Sequence, residues 1–124
     1  MSTVRVRRRG PASKYTIWAR YRDPQRWPDW APYLREVRTN GQLLRAGLEG
    51  EMHTRLGLTV AFEVLEVDEG AGRWTWVLRA GPLRYRVENL VEEGRAGMVI
   101  TGPGPAVLAS VPVAKRALGR IVRR

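Results

Sequence analysis

The chain has 124 residues, 44% of them hydrophobic, a formal net charge of +10 at pH 7, one histidine and no cysteine. That length suits one domain burying about two thirds of its unfolded surface and is too short for two ordinary ones. Without cysteine there are no disulfides, thiolate nucleophiles or Cys-ligated zinc, and a single histidine forms no cluster, so neither a metal nor a cofactor is assigned.

No apolar run approaches the roughly 20 residues that cross a bilayer. The basic N-terminus is followed by no apolar stretch of the kind a secretion signal carries. A cytoplasmic protein with no transmembrane segment is therefore expected. The positive charge is nearly all arginine: only Lys14 and Lys115 are lysine, and the cations gather at Arg5, Arg7, Arg8 and Arg9 and again at Lys115, Arg116, Arg120, Arg123 and Arg124. Such surfaces attract phosphate polymers and anionic membranes. An arginine-, glycine- and alanine-heavy composition also arises without selection for binding, and we read the charge as a solvated surface with no specific nucleic-acid partner.

In chain order, Val4 and Val6 alternate with Arg5, Arg7 and Arg9, the period of a half-exposed strand at or near a sheet edge. Gly10-Pro11 breaks it. Ser13 is a candidate N-cap for a helix through Tyr15, Ile17, Trp18 and Tyr21, ended by Asp23-Pro24. A second short helix carries Trp27 and Trp30, with Pro32 disturbing its end. From Glu36 onward, short strand-like runs are divided by turn signals at Asn40-Gly41, Gly47, Leu56-Gly57, Glu69–Gly72, Ala80-Gly81-Pro82 and Glu93-Gly94, a spacing that suits six strands in a meander. Residues 106–122 return to helical periodicity, interrupted by Pro112.

Ile17, Trp18, Asp23, Pro24, Trp27, Pro28 and Trp30 give the chain a family resemblance. A helix ending in Asp-Pro and followed by Trp-Pro-x-Trp is similar to the first two helices of the START-like, Bet v 1-related superfamily, in its polyketide cyclase/dehydrase and lipid-transport branch. The resemblance covers the whole chain as a single domain, residues 1–124. It implies an α+β helix-grip fold: a curved seven-stranded antiparallel sheet, two short helices after the first strand, and a C-terminal helix packed over a cavity for a hydrophobic small molecule. Against that pattern the last helix is short. Either the cavity is wide at that end or the helix begins only after Pro112.

Turn lengths set which residues face inward, because a strand's side chains alternate. A two-residue turn at Gly81-Pro82 puts Trp74, Trp76 and Leu78 on one face with Tyr85, Val87 and Asn89. Pairing Val67 with Arg73 adds Phe62, Val64 and Glu66, and a two-residue turn at Glu93-Gly94 adds Met98 and Ile100. Glu63, Thr75, Arg79, Arg84, Arg86 and Glu88 fall outside. We take Phe62, Val64, Trp74, Trp76, Tyr85, Val87, Asn89 and Met98 as candidate ligand-binding residues. Trp74 and Trp76 serve either to stack on a flat ligand or to fill the core, while Tyr85 and Asn89 are the polar anchors. Trp18, Trp27 and Trp30 are read as structural.

The turn at Leu56-Gly57 leaves two registers open. Two residues turn Glu51, His53 and Arg55 inward; three turn Met52, Thr54 and Leu56 inward instead. In the first case His53 and Arg55 are candidate catalytic residues, an imidazole and a fixed cation able to act on an enol or enolate. Ser110 has no base at a recognisable spacing, so no Ser-His-Asp nucleophile is read. Gly102-Pro103-Gly104-Pro105 lacks the lysine of a phosphate loop and reads as a hinge or gate. The expected function is binding of a polycyclic or polyketide-like hydrophobic molecule, with cyclisation or dehydration as its chemistry. The alternative is a non-catalytic carrier or sensor, and a basic polyanion-binding module ranks third.

Overall fold

Ser13 and Asp23 punctuate the N-terminal part of the fold. A computed structural model describes residues 1–124. Strand β1 (Ser2–Arg9) leads to helix α1 (Lys14–Arg22), whose N-cap Ser13 accepts from the Thr16 N–H through its side chain at 3.2 Å. Asp23 ends α1 and caps a 3₁₀ helix (Pro24–Asp29), its Oδ1 accepting from the Gln25 N–H. The last carbonyls of an α-helix have no partner within it. Here two indoles supply donors: Trp27 Nε1 donates to the Tyr21 carbonyl at 3.0 Å and Trp30 Nε1 to that of Arg20 at 3.3 Å. The tryptophans read as structural therefore fix the angle at which the 3₁₀ helix leaves α1.

Strands β2 (Leu34–Thr39), β3 (Glu49–Thr54), β4 (Thr59–Asp68), β5 (Arg73–Ala80), β6 (Leu83–Glu92) and β7 (Arg95–Gly102) form an antiparallel meander, and β1 closes it against β7. The sheet order is β1-β7-β6-β5-β4-β3-β2, so β1 is an edge strand, as its alternation implies. The turn at Gly81-Pro82 has two residues, with Ala80 opposite Leu83. Gly81 at φ 59° supplies the left-handed first position that a type II′ turn requires, and proline suits the second. Glu92 pairs with Arg95 across the second two-residue turn.

Two expectations of register are corrected. Asp68, not Val67, lies opposite Arg73, and a β-bulge at Leu65 then restores the pairing of Val64 with Trp76. Glu66 consequently faces out and is exposed, while Val67 turns toward the core. At the β3–β4 turn the three-residue form is adopted: the Thr54 N–H donates to the Leu58 carbonyl, and Gly57 at φ 86° takes the left-handed position such a loop needs. Met52 faces inward and is buried; His53, opposite Thr59, lies with Glu51, Ala61 and Glu63 on the convex face.

Helix α2 (Gly104–Ile121) is continuous through Pro112, which sits on its exposed side, where a missing N–H and a kink are tolerated. Its small and branched residues Val107, Ala114, Ala117, Leu118 and Ile121 pack on β1 and β7. At 18 residues it spans about 27 Å. Because α2 covers β1 and β7, the concave face of β4 and β5 is left to α1 and the 3₁₀ helix. One cluster of 28 buried residues runs through all these layers.

Candidate functional site

The concave face of β4–β7 carries the candidate ligand-binding residues, and the register explains why. Trp74 lies opposite Asn89, Trp76 opposite Val87, Leu78 opposite Tyr85, and Asn89 and Val87 opposite Met98 and Ile100. Phe62 and Val64 join through β4. Seven of the eight, Phe62, Val64, Trp74, Trp76, Val87, Asn89 and Met98, are buried. Tyr85 is half-buried at the end where β6 begins, its ring against Gly102, where an added Cβ would come within 2.8 Å of it.

Trp27 completes the face. Its ring stacks on Trp74 at 6.0 Å between centroids, and meets Trp76 edge-on at 5.2 Å and Phe62 at 5.5 Å. Tyr21, from α1, sits edge-on to Trp74 at 5.2 Å and to Trp30 at 5.4 Å. The space expected between sheet and helix is thus occupied in large part by an indole from the 3₁₀ helix. Of nine surface depressions, four have volumes of 380 to 650 Å³, and none of these four is lined by Trp74, Trp76, Tyr85, Val87, Asn89 or Met98.

Within this apolar cluster four polar atoms are buried without a protein hydrogen-bond partner: Tyr21 Oη, Trp74 Nε1, Trp76 Nε1 and Asn89 Oδ1. Asn89 uses only its amide nitrogen, which donates to the Trp74 carbonyl at 3.4 Å. Unpaired buried polar atoms each cost about 1–3 kcal/mol, and these four belong to residues that register and ring contacts bring together, Asn89 opposite Trp74 and Trp74 against Trp76 and Tyr21. Three are donors and one is an acceptor. Tyr21 and Trp27 were not among the sequence candidates as site residues. The pairing of an aromatic helix face with the Trp-Pro-x-Trp element was the signal that carried them.

The electrostatics of this interior are those of neutral groups. No charged side chain is buried. Burial pushes the Tyr33 phenol up to about 12, and burial together with the neighbouring Tyr33 raises the Tyr21 phenol further still. Both phenols remain protonated donors at neutral pH. His53 and Arg55, expected inward in one of the two registers, lie elsewhere. His53 Nδ1 is 3.3 Å from Thr59 Oγ1 and its Nε2 4.0 Å from a Glu51 carboxylate oxygen, while Arg55 Nε donates to the Pro32 carbonyl at 2.7 Å. The three-residue turn is the reason. Ser110 Oγ donates to the Val107 carbonyl within α2, and Gly102-Pro103 forms the junction into that helix.

A family model described as polyketide cyclase / dehydrase and lipid transport matches residues 1–124. Among curated proteins none matches the sequence. Solved structures with the same fold include XoxI from Bacillus cereus, 15% identical, with a TM-score of 0.82, covering 98% of this chain and 93% of that one. Ara h 8.0201 is 8% identical, with a TM-score of 0.71 over 98% of this chain and 94% of its own. DynU16, a protein of the dynemicin biosynthetic locus, is 20% identical, with a TM-score of 0.72 over 98% of this chain and 46% of its own.

Proposed function

The chain belongs to the polyketide cyclase/dehydrase and lipid-transport family, and we propose that its concave face binds a flat, hydrophobic, polycyclic or polyketide-like molecule bearing carbonyl or hydroxyl oxygens. The observation that carries this reading is the set of four unpartnered polar atoms on the aromatic face. Phe62, Val64, Val87 and Met98 supply apolar contact, and the indoles of Trp74 and Trp76 supply stacking surface as well as N–H donors. Tyr21 Oη and the two indole nitrogens donate to ligand oxygens; Asn89 Oδ1 accepts from a ligand hydroxyl. Trp27, carried by a six-residue 3₁₀ helix rather than by the sheet, is the ring that yields when the face is occupied.

The same residues favour a carrier or sensor over an enzyme. Cyclisation or dehydration of a polyketide-like chain begins with removal of a proton, which needs a base near its working pH. The interior holds no carboxylate, imidazole or amine, and its phenols are shifted toward the protonated form. What it can do is polarise a carbonyl or hold an enol oxygen by hydrogen bonds. Any turnover therefore comes from orienting a substrate that is already reactive.

Tryptophan fluorescence tests the reading, since Trp27, Trp74 and Trp76 lie within the site. A polycyclic aromatic hydroxyketone is expected to quench and shift the emission saturably, and to bind about tenfold tighter than a hydrocarbon of the same ring number, as expected for one well-made hydrogen bond. Equal affinity for the two, or no saturation, removes the polar anchors from recognition.

A further inference from the structure

Position 8 breaks the pattern of β1. Val4 and Val6 point to the concave side opposite Ile100 and Met98, and the next residue of that register is Arg8, opposite Ala96. An apolar side chain is what a strand facing a helix calls for. Arg8 instead extends to α2, where its Nη1 donates to the Lys115 carbonyl at 3.5 Å. Its guanidinium lies over Gly119, where any Cβ would come within 3.2 Å of it. Arginine at position 8 and glycine at position 119 fit as a pair, since a Cβ at 119 would make the guanidinium give by a few tenths of an ångström.

That guanidinium is one wall of a groove of about 490 Å³ lined by Arg8, Lys115, Arg116, Arg120 and Arg123, with Pro112 and Gly119. The lining holds five cations and no carboxylate. The ion pairs of the protein engage Arg22, Arg26, Arg38, His53 and Arg95, and none of these five. In the adjoining depression, which Arg120 and Arg123 also reach, the acids Asp23 and Asp29 are already engaged, with the Gln25 N–H and with Arg26. Cations at the C-terminal end of a helix are favoured by its dipole, which accounts for Arg120 in the last turn of α2 and Arg123 just beyond it. It does not account for Lys115 and Arg116, which lie further up α2, or for an arginine delivered from another element at a core register position.

We propose that this groove is a binding site for a multiply charged phosphate, a diphosphate or phosphate monoester, held by the guanidinium groups of Arg8, Arg116 and Arg120 with Lys115 and Arg123 adding charge. Planar guanidinium forks match phosphate oxygens two at a time, and a like-charged cluster is relieved by such an anion. The site is separate from the aromatic face and does not depend on the ligand reading made there.

Isothermal titration with inorganic pyrophosphate near physiological ionic strength tests it, because screening there suppresses diffuse attraction between exposed charges. Saturable binding is expected, at least about tenfold weaker in an Arg116→Gln/Arg120→Gln variant, the loss of charge-assisted bonds. The control is Arg84→Gln/Arg86→Gln, which removes the same charge from the convex face and leaves the affinity unchanged. Arg116→Lys/Arg120→Lys keeps net charge and helix; weaker binding in it, with an unchanged thermal midpoint, reads the fork geometry even if the glutamine variant folds poorly. Vesicles bearing phosphatidic acid separate the sources. Capture that pyrophosphate competes away assigns the phosphate to a lipid headgroup, and pyrophosphate binding without capture assigns it to a soluble molecule. No pyrophosphate binding, or equal loss in the convex-face control, overturns the site, as does duplex DNA binding that pyrophosphate leaves untouched.

Discussion

Removing one oxygen atom separates a binding site from a packing arrangement. Tyr21 is fully buried, its ring is held by Trp74 and Trp30, and its hydroxyl has no protein partner. Tyr21→Phe keeps the ring and deletes only that hydroxyl. A buried polar group without a partner costs about 1–3 kcal/mol, so the variant is expected to be more stable by about 1 kcal/mol or more. For a domain of this size each kcal/mol moves the thermal midpoint by roughly 3–6 °C, so differential scanning calorimetry should show a rise of a few degrees. If the hydroxyl faces the ligand, affinity for a polycyclic hydroxyketone falls by about tenfold in the same variant, a loss of about 1.4 kcal/mol. Stability and binding thus move in opposite directions, as they do where a site is kept at the expense of the fold. A lowered midpoint with unchanged affinity refutes the reasoning, because it shows the hydroxyl already satisfied within the protein.

Three further outcomes are expected. His53→Ala and Arg55→Ala leave ligand affinity within about twofold in the fluorescence titration, since both side chains lie away from the aromatic face; loss of binding in either would return them to the site. Trp27→Ala removes the ring between Phe62, Trp74 and Trp76 and costs about 3–5 kcal/mol by urea denaturation, while binding of the hydroxyketone, measured under native conditions, is retained because the cleared space is the space the ligand takes. Stability falls as pH rises from about 10 toward about 12: the Tyr33 phenol is raised in the folded state, so above the unfolded value the native chain holds a proton that the unfolded chain has released. Tyr33→Phe, followed by denaturant titration across that range, is expected to flatten the decline.

How much of this was legible in the sequence depended on how each turn is built. Gly81-Pro82 and Glu93-Gly94 set two-residue turns, and through them Trp74, Trp76, Val87, Asn89 and Met98 could be assigned to one face before any coordinates. The loop at Leu56-Gly57 was ambiguous because glycine can occupy the left-handed place of a two- or a three-residue turn; only the hydrogen bond from Thr54 to Leu58 decides it, and with it the direction of His53. The bulge at Leu65 was invisible for a related reason. It inserts one residue without a glycine or proline to mark it, so a single parity along β4 puts Phe62, Val64 and Glu66 all inward, whereas beyond the bulge it is Val67, opposite Trp74, that faces in. For Pro112 the sequence suggested an interruption, because a proline costs a hydrogen bond wherever it falls. That it lies on the exposed side of α2, where the cost is tolerated, depends on packing against β1 and β7 that local pattern does not contain.

The division of labour between helices explains why the proposed binding face is aromatic rather than aliphatic. A helix that spanned the whole concave face would bury β4 and β5 with aliphatic residues, as α2 buries β1 and β7 with Val107, Ala114, Ala117 and Leu118. Here β4 and β5 are met instead by indole and phenol rings from α1 and the 3₁₀ helix, and rings bring polar atoms that need partners. Trp27 and Trp30 find theirs in the free carbonyls at the end of α1. Trp74, Trp76 and Tyr21 do not, although they stand in the same cluster. The difference is one of position: the first pair reaches the chain's own free carbonyls, whereas the second set, with Asn89 opposite Trp74, is buried without such a partner. A core selected for stability alone would carry phenylalanine at position 21 and an aliphatic residue at 89. Under the binding proposed above, the phenol and the amide kept at these positions serve recognition, as an inward donor and acceptor that a ligand can satisfy.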